Sequence, residues 1–241
     1  MRILTVFFDR TGAYTRLLTV FYKSLKKHMP NASLEVLRVP TPENSNPFLD
    51  TFYGFIPAIE EAMKTKELIC IADADLMVTG DFSEIENESF DLAVTVRNGQ
   101  FRYNTGVWFY RPSEKALKFL KLWKENTIKV SNNFSMAVIM EYGGIDQQSL
   151  YETIEQYKKI DSSFKIKFLP CREWNCEQTE WKNRDEKTKI IHIKSGLRPV
   201  CLGQKELQEK HSYLKEIVKE WQDYDDSWEL YPLDKKAADT I

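Results

Sequence analysis

Two aspartates one residue apart close an apolar run, Leu68-Ile-Cys-Ile-Ala-Asp73-Ala-Asp75. Carboxylates at the end of a buried strand stand at the edge of the sheet where α/β folds bind ligands. Hard oxygen ligands of this kind suit Mg²⁺ or Mn²⁺, which take one or two protein carboxylates and complete their shell with water and substrate phosphates. Two other readings stay open. The pair are solvated turn carboxylates, Asp being common where strands turn; or they are a phosphatase-type Asp-x-Asp site, whose first Asp attacks covalently and whose second moves a proton. The phosphatase motif follows the first strand of its fold and carries Thr or Val where this chain has Met77. At least two strands precede Asp73.

A second chemical segment is His192-Ile-Lys194-Ser-Gly196-Leu-Arg198-Pro199. It sets an imidazole at the end of an apolar strand and follows it with two cations, a set able to complete a metal site and neutralise a diphosphate. Alone, a strand-end histidine is more often structural, and only the Asp pair changes that balance. Asn104-Thr-Gly106-Val offers an amide, which both donates and accepts, beside a glycine permitting close backbone approach; a simple turn explains it as well. Gly143-Gly-Ile-Asp146-Gln147 reads as a loop with Asp146 capping the next helix. Tyr14 is either a base-stacking ring or a helix-packing residue.

These residues need strands and helices to bring them together. The spacing predicts strands over 3–8, 33–39, 67–72, 91–96, 106–110, 164–169 and 189–193. Helices are expected over 14–28, 50–63, 113–127, 147–158 and 204–221. The run at 67–72 is apolar on both faces and belongs in the middle of a covered sheet. Alternating strands and helices predict an α/β domain with a largely parallel sheet.

The 241 residues allow one large domain or two small ones. With 42% apolar residues a sizeable core can form, and 34 basic against 36 acidic residues give a net charge of -2. No general field for nucleic acid follows from that balance. No run approaches the roughly 18 apolar residues of a membrane span, and the opening residues read as a buried strand, not as a signal peptide. Four irregularly spaced cysteines and no CxxC pair make a reducing cytoplasm the simplest compartment.

In this order the segments resemble the GT-A nucleotide-sugar glycosyltransferases, and among them family 8, which contains glycogenin and bacterial lipopolysaccharide galactosyltransferases. The resemblance spans roughly residues 3–200. Asp9 and Tyr14 after the first strand are similar to the family's uracil-binding start, and Asp73-Ala-Asp75 to its metal-binding Asp-x-Asp. Asn104-Thr-Gly-Val is similar to its Asn-Ser-Gly-Val, Asp146-Gln147 to its Asp-Gln pair, and Leu169-Pro170 with Trp174-Asn175 to its Leu-Pro and aromatic-Asn segment. His192 to Pro199 resembles His-x-x-Gly-x-x-Lys-Pro-Trp, with Gly196 one residue late, Arg198 for Lys and Val200 for Trp.

The resemblance implies a single GT-A (Rossmann-like) domain over 1–203, with 204–241 a C-terminal helix and tail packed on it. It implies transfer of a hexose from a UDP-sugar to an acceptor hydroxyl with retained configuration. Asp73, Asp75 and His192 would hold Mn²⁺ or Mg²⁺. Lys194, Gly196 and Arg198 would meet the diphosphate, Tyr14 and Asp9 the uracil, and Asn104, Asp146 and Gln147 the sugar. If the reaction inverts instead, Asp146 is the base. The acceptor is a glycan, a lipid-linked molecule or a protein, and peripheral membrane contact is compatible with the aromatic residues near Trp221. The alternatives are the Asp-nucleophile (haloacid-dehalogenase-like) phosphatase and a silent sugar-nucleotide binding protein.

Overall fold

The computed structural model describes residues 1–8, 12–40, 50–99 and 102–225. Asp9, and the tail beyond residue 225, lie outside them. Among the described residues eight strands occur in chain order: β1 (Arg2–Phe7), β2 (Ser33–Arg38), β3 (Ile69–Ala72), β4 (Leu76–Val78), β5 (Leu92–Val96), β6 (Tyr103–Tyr110), β7 (Ile166–Pro170) and β8 (Ile190–His192). Six build one sheet in the order β2-β1-β3-β6-β5-β7, and β4 pairs with β8 in a separate antiparallel ribbon. Within the main sheet only β6 runs against its neighbours. Reversal puts the start of β6 at the edge where β3 and β5 end.

Both faces of the sheet are covered, so β3 is buried throughout. Cys70 and Ala72 face one core with Leu18 and Phe21 of α1 (Ala13–His28). Ile69 and Ile71 face another with Ile59 of α2 (Asp50–Lys64), Trp123 of α3 (Glu114–Asn132) and Leu150 of α5 (Ile145–Ile160). Full burial of each large apolar side chain stabilises the fold by about 1.5–3 kcal/mol. A third core joins Leu17 and Val20 of α1 to Met77 of β4, Ile191 of β8 and Trp221 of α8 (Lys215–Asp225). Helix α1 therefore buries two faces, and the β4–β8 ribbon is fixed behind it.

Helix α3 begins at Ser113, whose Oγ accepts a hydrogen bond from the Ala116 amide at 3.1 Å, filling an otherwise open helix end. It continues five residues past the expected end at 127. The polar residues near that point, Asn126 and Thr127, are buried against α5, where Asn126 donates to Thr153 at 3.0 Å. Several short elements were not expected, among them β4, with three residues too few to show a period, and α4 (Met136–Tyr142). The helix expected over 204–221 begins only at Lys215, after irregular and 3₁₀ chain. A short α7 (Leu197–Cys201) stops near Gly203, which has φ +72°; a 3₁₀ segment at Glu209–Leu214 follows, and α8 comes last. Helix α6 (Cys171–Trp174) is one turn.

Asn104 to Gly106 lies within β6, not before it. Val94 pairs with Trp108 while Thr95 pairs with Asn104, so residues 105–107 of β6 have no counterparts on β5. This bulge inverts facial parity: Tyr103 and Trp108, five residues apart, pack into the same core. The Thr95 hydroxyl donates toward the carbonyls of Asn104 at 2.7 Å and Val107 at 3.3 Å, partnering backbone groups beside the bulge.

Candidate active site

Four chain segments meet at this edge of the sheet. Asp73 follows β3, its amide bonded to the Gly106 carbonyl at 2.9 Å. Asp75 closes the turn into β4, and its carbonyl accepts from the Ile193 amide at 2.8 Å just beyond β8. His192 ends β8. Its Nε2 lies 3.1 Å from Asp75 Oδ1 and 3.5 Å from Asp73 Oδ2, and one ligand atom from each of the three residues falls within 4.8 Å of the others.

The imidazole is oriented from behind. Buried Asn175 donates through Nδ2 to Thr95 Oγ1 at 3.2 Å, which turns its Oδ1 toward His192 Nδ1 at 3.0 Å. An oxygen at that position accepts from Nδ1–H and turns Nε2 toward the carboxylates, where it donates to Asp75 or, without its proton, offers a lone pair to a cation. Three electron pairs converging on one point, with two hard oxygens and a backed imidazole, fit a divalent cation. Gly106 forms the floor. A Cβ there would come within 2.9 Å of Asp73 Oδ2, 2.9 Å of His192 Cε1 and 3.0 Å of Asn175 Nδ2.

The two aspartates differ. Burial would raise the Asp75 carboxyl, but His192 and the guanidinium of Arg198, hydrogen-bonded to its Oδ2, hold it well below the usual range. Burial raises Asp73 to about 6 against the pull of His192, with Asp75 and Asp146 adding to the rise. Its side chain is nevertheless 52% exposed, open toward the cleft.

A cleft of about 630 Å³ opens here, and Asp73, Asp75, Asn104, Asp146, Gln147 and His192 all line it, as do Tyr14, Lys194 and Arg198. Tyr14 sits in the first turn of α1, its hydroxyl accepting from Arg198 at 2.7 Å and its ring under that guanidinium. Lys194 is paired with Glu177 at 3.0 Å. Gly196 does not line the cleft, and neither crowding nor a positive φ demands glycine there.

Asp146 lies in the first turn of α5, where Gly144, not Asp146, is the N-cap. Its Oδ2 accepts from Thr105, and its buried Oδ1 has no partner. Burial raises its carboxyl, opposed first by that Thr105 hydrogen bond. Asn104 engages the Gly106 amide through Oδ1 at 2.9 Å, leaving the buried Nδ2 without a partner. One orphan acceptor and one orphan donor on the wall of a cleft suit a hydroxyl group, which can serve both.

Sequence reading did not single out Arg97, Glu177 or the bond from Asn175 to His192. The Asn175 segment was visible as a motif, but its orienting contact requires the fold. Arg97 and Glu177 carried no local signal.

Residues 62–198 match the sequence profile of the family described as nucleotide-diphospho-sugar transferase. A search of curated proteins found no match. Among solved structures, the chain is similar to a glycosyltransferase involved in glycosylation of the major capsid of PBCV-1, with 15% identity, TM-score 0.55 and coverage of 82% of this chain and 94% of that one. It is also similar to the galactosyltransferase LgtC solved with donor and acceptor sugar analogues, with 12% identity, TM-score 0.54 and coverage of 93% and 95%. A third is the glycosyltransferase GlyE of Streptococcus pneumoniae TIGR4, with 15% identity and TM-score 0.61; there 94% of this chain spans 60% of that one. At these identities the three establish a shared GT-A fold.

Proposed function

The chain belongs to the nucleotide-diphospho-sugar transferase family, and from that premise we propose that it moves a hexosyl group from a UDP-sugar to an acceptor hydroxyl with the help of Mn²⁺ or Mg²⁺. The observation that carries this reading is the convergence of Asp73, Asp75 and His192 beside the orphan donor of Asn104 and the orphan acceptor of Asp146 in one cleft. Breaking the anomeric C–O bond puts negative charge on the departing diphosphate. A divalent cation held by the three residues supplies Lewis-acid stabilisation of that charge.

The protein's own groups do the rest. Lys194 and Arg198 stand at the same end of the cleft as the metal ligands and offset the leaving-group charge. Removing one such preorganised contact costs about 10²–10³ in rate. Asn104 Nδ2 and Asp146 Oδ1 bind sugar hydroxyls, and Gln147 holds the sugar beside the reacting centre. Confinement with the acceptor supplies proximity. Tyr14 borders the nucleotide end, where Asp9 is the proposed partner of the uracil edge. The domain is proposed to run over 1–203, with the C-terminal segment packed against it.

Retention of anomeric configuration is the proposed outcome, with attack on the face that UDP leaves. Asp146 becomes the base only if NMR shows an inverted product. The acceptor is a glycan, a lipid-linked molecule or a protein. Among the described residues no helix is long and apolar enough to cross a membrane. The family match gives no support to the Asp-nucleophile phosphatase.

The test is a thermal-shift panel of nucleotide sugars with Mn²⁺, repeated on Asp75→Ala. UDP-sugars should stabilise wild type only with the metal, and the variant should lose the response. The reading fails if no UDP compound stabilises the protein, or if the variant responds like wild type. Stabilisation without hydrolysis or transfer would identify a silent binding protein.

A further inference from the structure

Behind the cleft lies a buried ion pair, Arg97 and Glu177, with no role in the reaction just described. Arg97 follows β5 and Glu177 follows α6; 80 residues apart in sequence, their side chains are 6% and 5% exposed. Arg97 Nε donates to Glu177 Oε1 at 3.2 Å, and Glu177 Oε2 meets Lys194 Nζ at 3.0 Å. In the other direction Arg97 Nη1 donates to Gln147 Oε1 at 2.7 Å and to the Tyr103 carbonyl at 2.9 Å. One buried carboxylate thus stands between the cation at the diphosphate end of the cleft and the amide at the sugar end.

Burying two full charges is unfavourable unless both are well paired, and replacement by apolar residues is often tolerated or stabilising. A buried pair that also reaches two cleft residues is better explained by what it orients. Arginine has donors only. Its hydrogen bond therefore fixes which end of the Gln147 amide faces inward: Oε1 is held by Arg97, and the NH₂ group is left to a ligand. Glu177 acts in parallel on Lys194, setting where the ammonium sits. Its carboxylate stays ionised because Lys194, Thr179 and Arg97 outweigh the effect of burial.

We propose that Arg97 and Glu177 are positioning residues that set Gln147 and Lys194 as one unit. Arg97 fixes the amide orientation of Gln147, and Glu177 links that orientation to the placement of Lys194. The proposal rests on the UDP-sugar reading above. Neither residue touches substrate, so each acts entirely through a neighbour.

The experiment measures UDP-sugar turnover and Mn²⁺ affinity for wild type, Arg97→Lys, Arg97→Met and Glu177→Gln, together with Gln147→Ala and the Arg97→Met/Gln147→Ala double variant. Loss of a charge-assisted hydrogen bond that positions a cleft group should lower kcat about 10- to 100-fold in Arg97→Met and Glu177→Gln. Mn²⁺ affinity should stay unchanged, because Asp73, Asp75 and His192 are untouched. Arg97→Lys, which keeps a donor for Gln147, should recover part of the loss. In the Gln147→Ala background Arg97→Met should cost little more, since its target is gone.

Additive effects of Arg97→Met and Gln147→Ala, or wild-type kcat in folded Glu177→Gln, overturn the proposal while leaving the transferase reading intact. If Arg97→Met does not fold, Arg97→Lys and Glu177→Gln carry the test, and equal loss of Mn²⁺ affinity and kcat in them counts against positioning. A wild type that neither binds nor turns over any UDP-sugar removes the transferase reading, and this proposal with it.

Discussion

Adding a single methyl group at Gly106 should disable the candidate metal site while sparing the fold. The new Cβ would lie 2.9 Å from Asp73 Oδ2, 2.9 Å from His192 Cε1 and 3.0 Å from Asn175 Nδ2. Each separation is about 0.5 Å or more short of an ordinary optimum for nonbonded heavy atoms. Asp73, half exposed, can swing away, but His192 is held between Asn175 and Asp75 at 3.0 and 3.1 Å. A ligand displaced by about 0.5 Å exceeds the tolerance of about 0.2 Å within which metal–ligand distances usually fall. Overpacking costs about 1–3 kcal/mol, offset by about 0.5–1 kcal/mol for removing a strand glycine. At about 2–4 °C per kcal/mol the metal-free melting temperature should fall by no more than about 10 °C. Mn²⁺ affinity should fall at least about 10- to 100-fold, as for loss of an orienting contact. Calorimetric Mn²⁺ titration of Gly106→Ala reads this directly. Gly196→Ala is the matched control, since its Cβ would meet nothing within 4 Å. Wild-type Mn²⁺ affinity in a folded Gly106→Ala protein would refute the reasoning that Gly106 sets the ligand geometry.

Three further outcomes are expected. Asn175→Leu removes the acceptor that orients His192 and should weaken Mn²⁺ binding about 10- to 100-fold, again by calorimetry, with the loss persisting at every pH where the protein is folded. Because Asp73 is raised to about 6, a proton competes with the cation, so Mn²⁺ affinity should decline progressively as pH falls below about 6; a flat profile from pH 7 to 5 would contradict this. Glu177 is held down at about 2 by Lys194, Thr179 and Arg97 against burial. The unfolded chain therefore takes up this proton first, and the stability from Glu177 is complete above about pH 4.5 and lost as pH falls toward 2. On the order of 3 kcal/mol is at stake, and denaturant melts of Glu177→Gln should show a flatter acid limb over that window.

Most of the sheet and the residues of the Asp73, Asp75 and His192 cluster were legible in the sequence. A run apolar on both faces identified β3, and ligand-type residues at two strand ends pointed to Asp73, Asp75 and His192. What escaped depended on tertiary partners. Helix α3 runs past the end expected at 127, and sequence cannot show that α5 buries and bonds Asn126 and Thr127 there. Arg97 and Glu177 gave no signal in the sequence, since the partners that allow their burial lie 80 residues apart. The β6 bulge was hidden for a different reason. Its residues look like a turn followed by a strand, and only the pairing with β5 reveals one strand with a change of register.

That bulge also limits how the protein can change. The two halves of β6 face opposite ways along one continuous strand, Trp108 and Tyr103 filling the same core from positions that regular alternation would set on opposite faces. Deleting one residue from 105–107 would bring Tyr103 and Trp108 back to the spacing of regular alternation, though two residues would stay unpaired, and it would withdraw either the glycine floor or the Asn104 amide from the cleft. Insertions in the hairpin before Tyr103 would shift the same register. The irregular pairing thus acts as a length standard for the β5–β6 hairpin: drift toward a more regular strand trades ligand geometry for packing, and variants that keep both must alter two positions together.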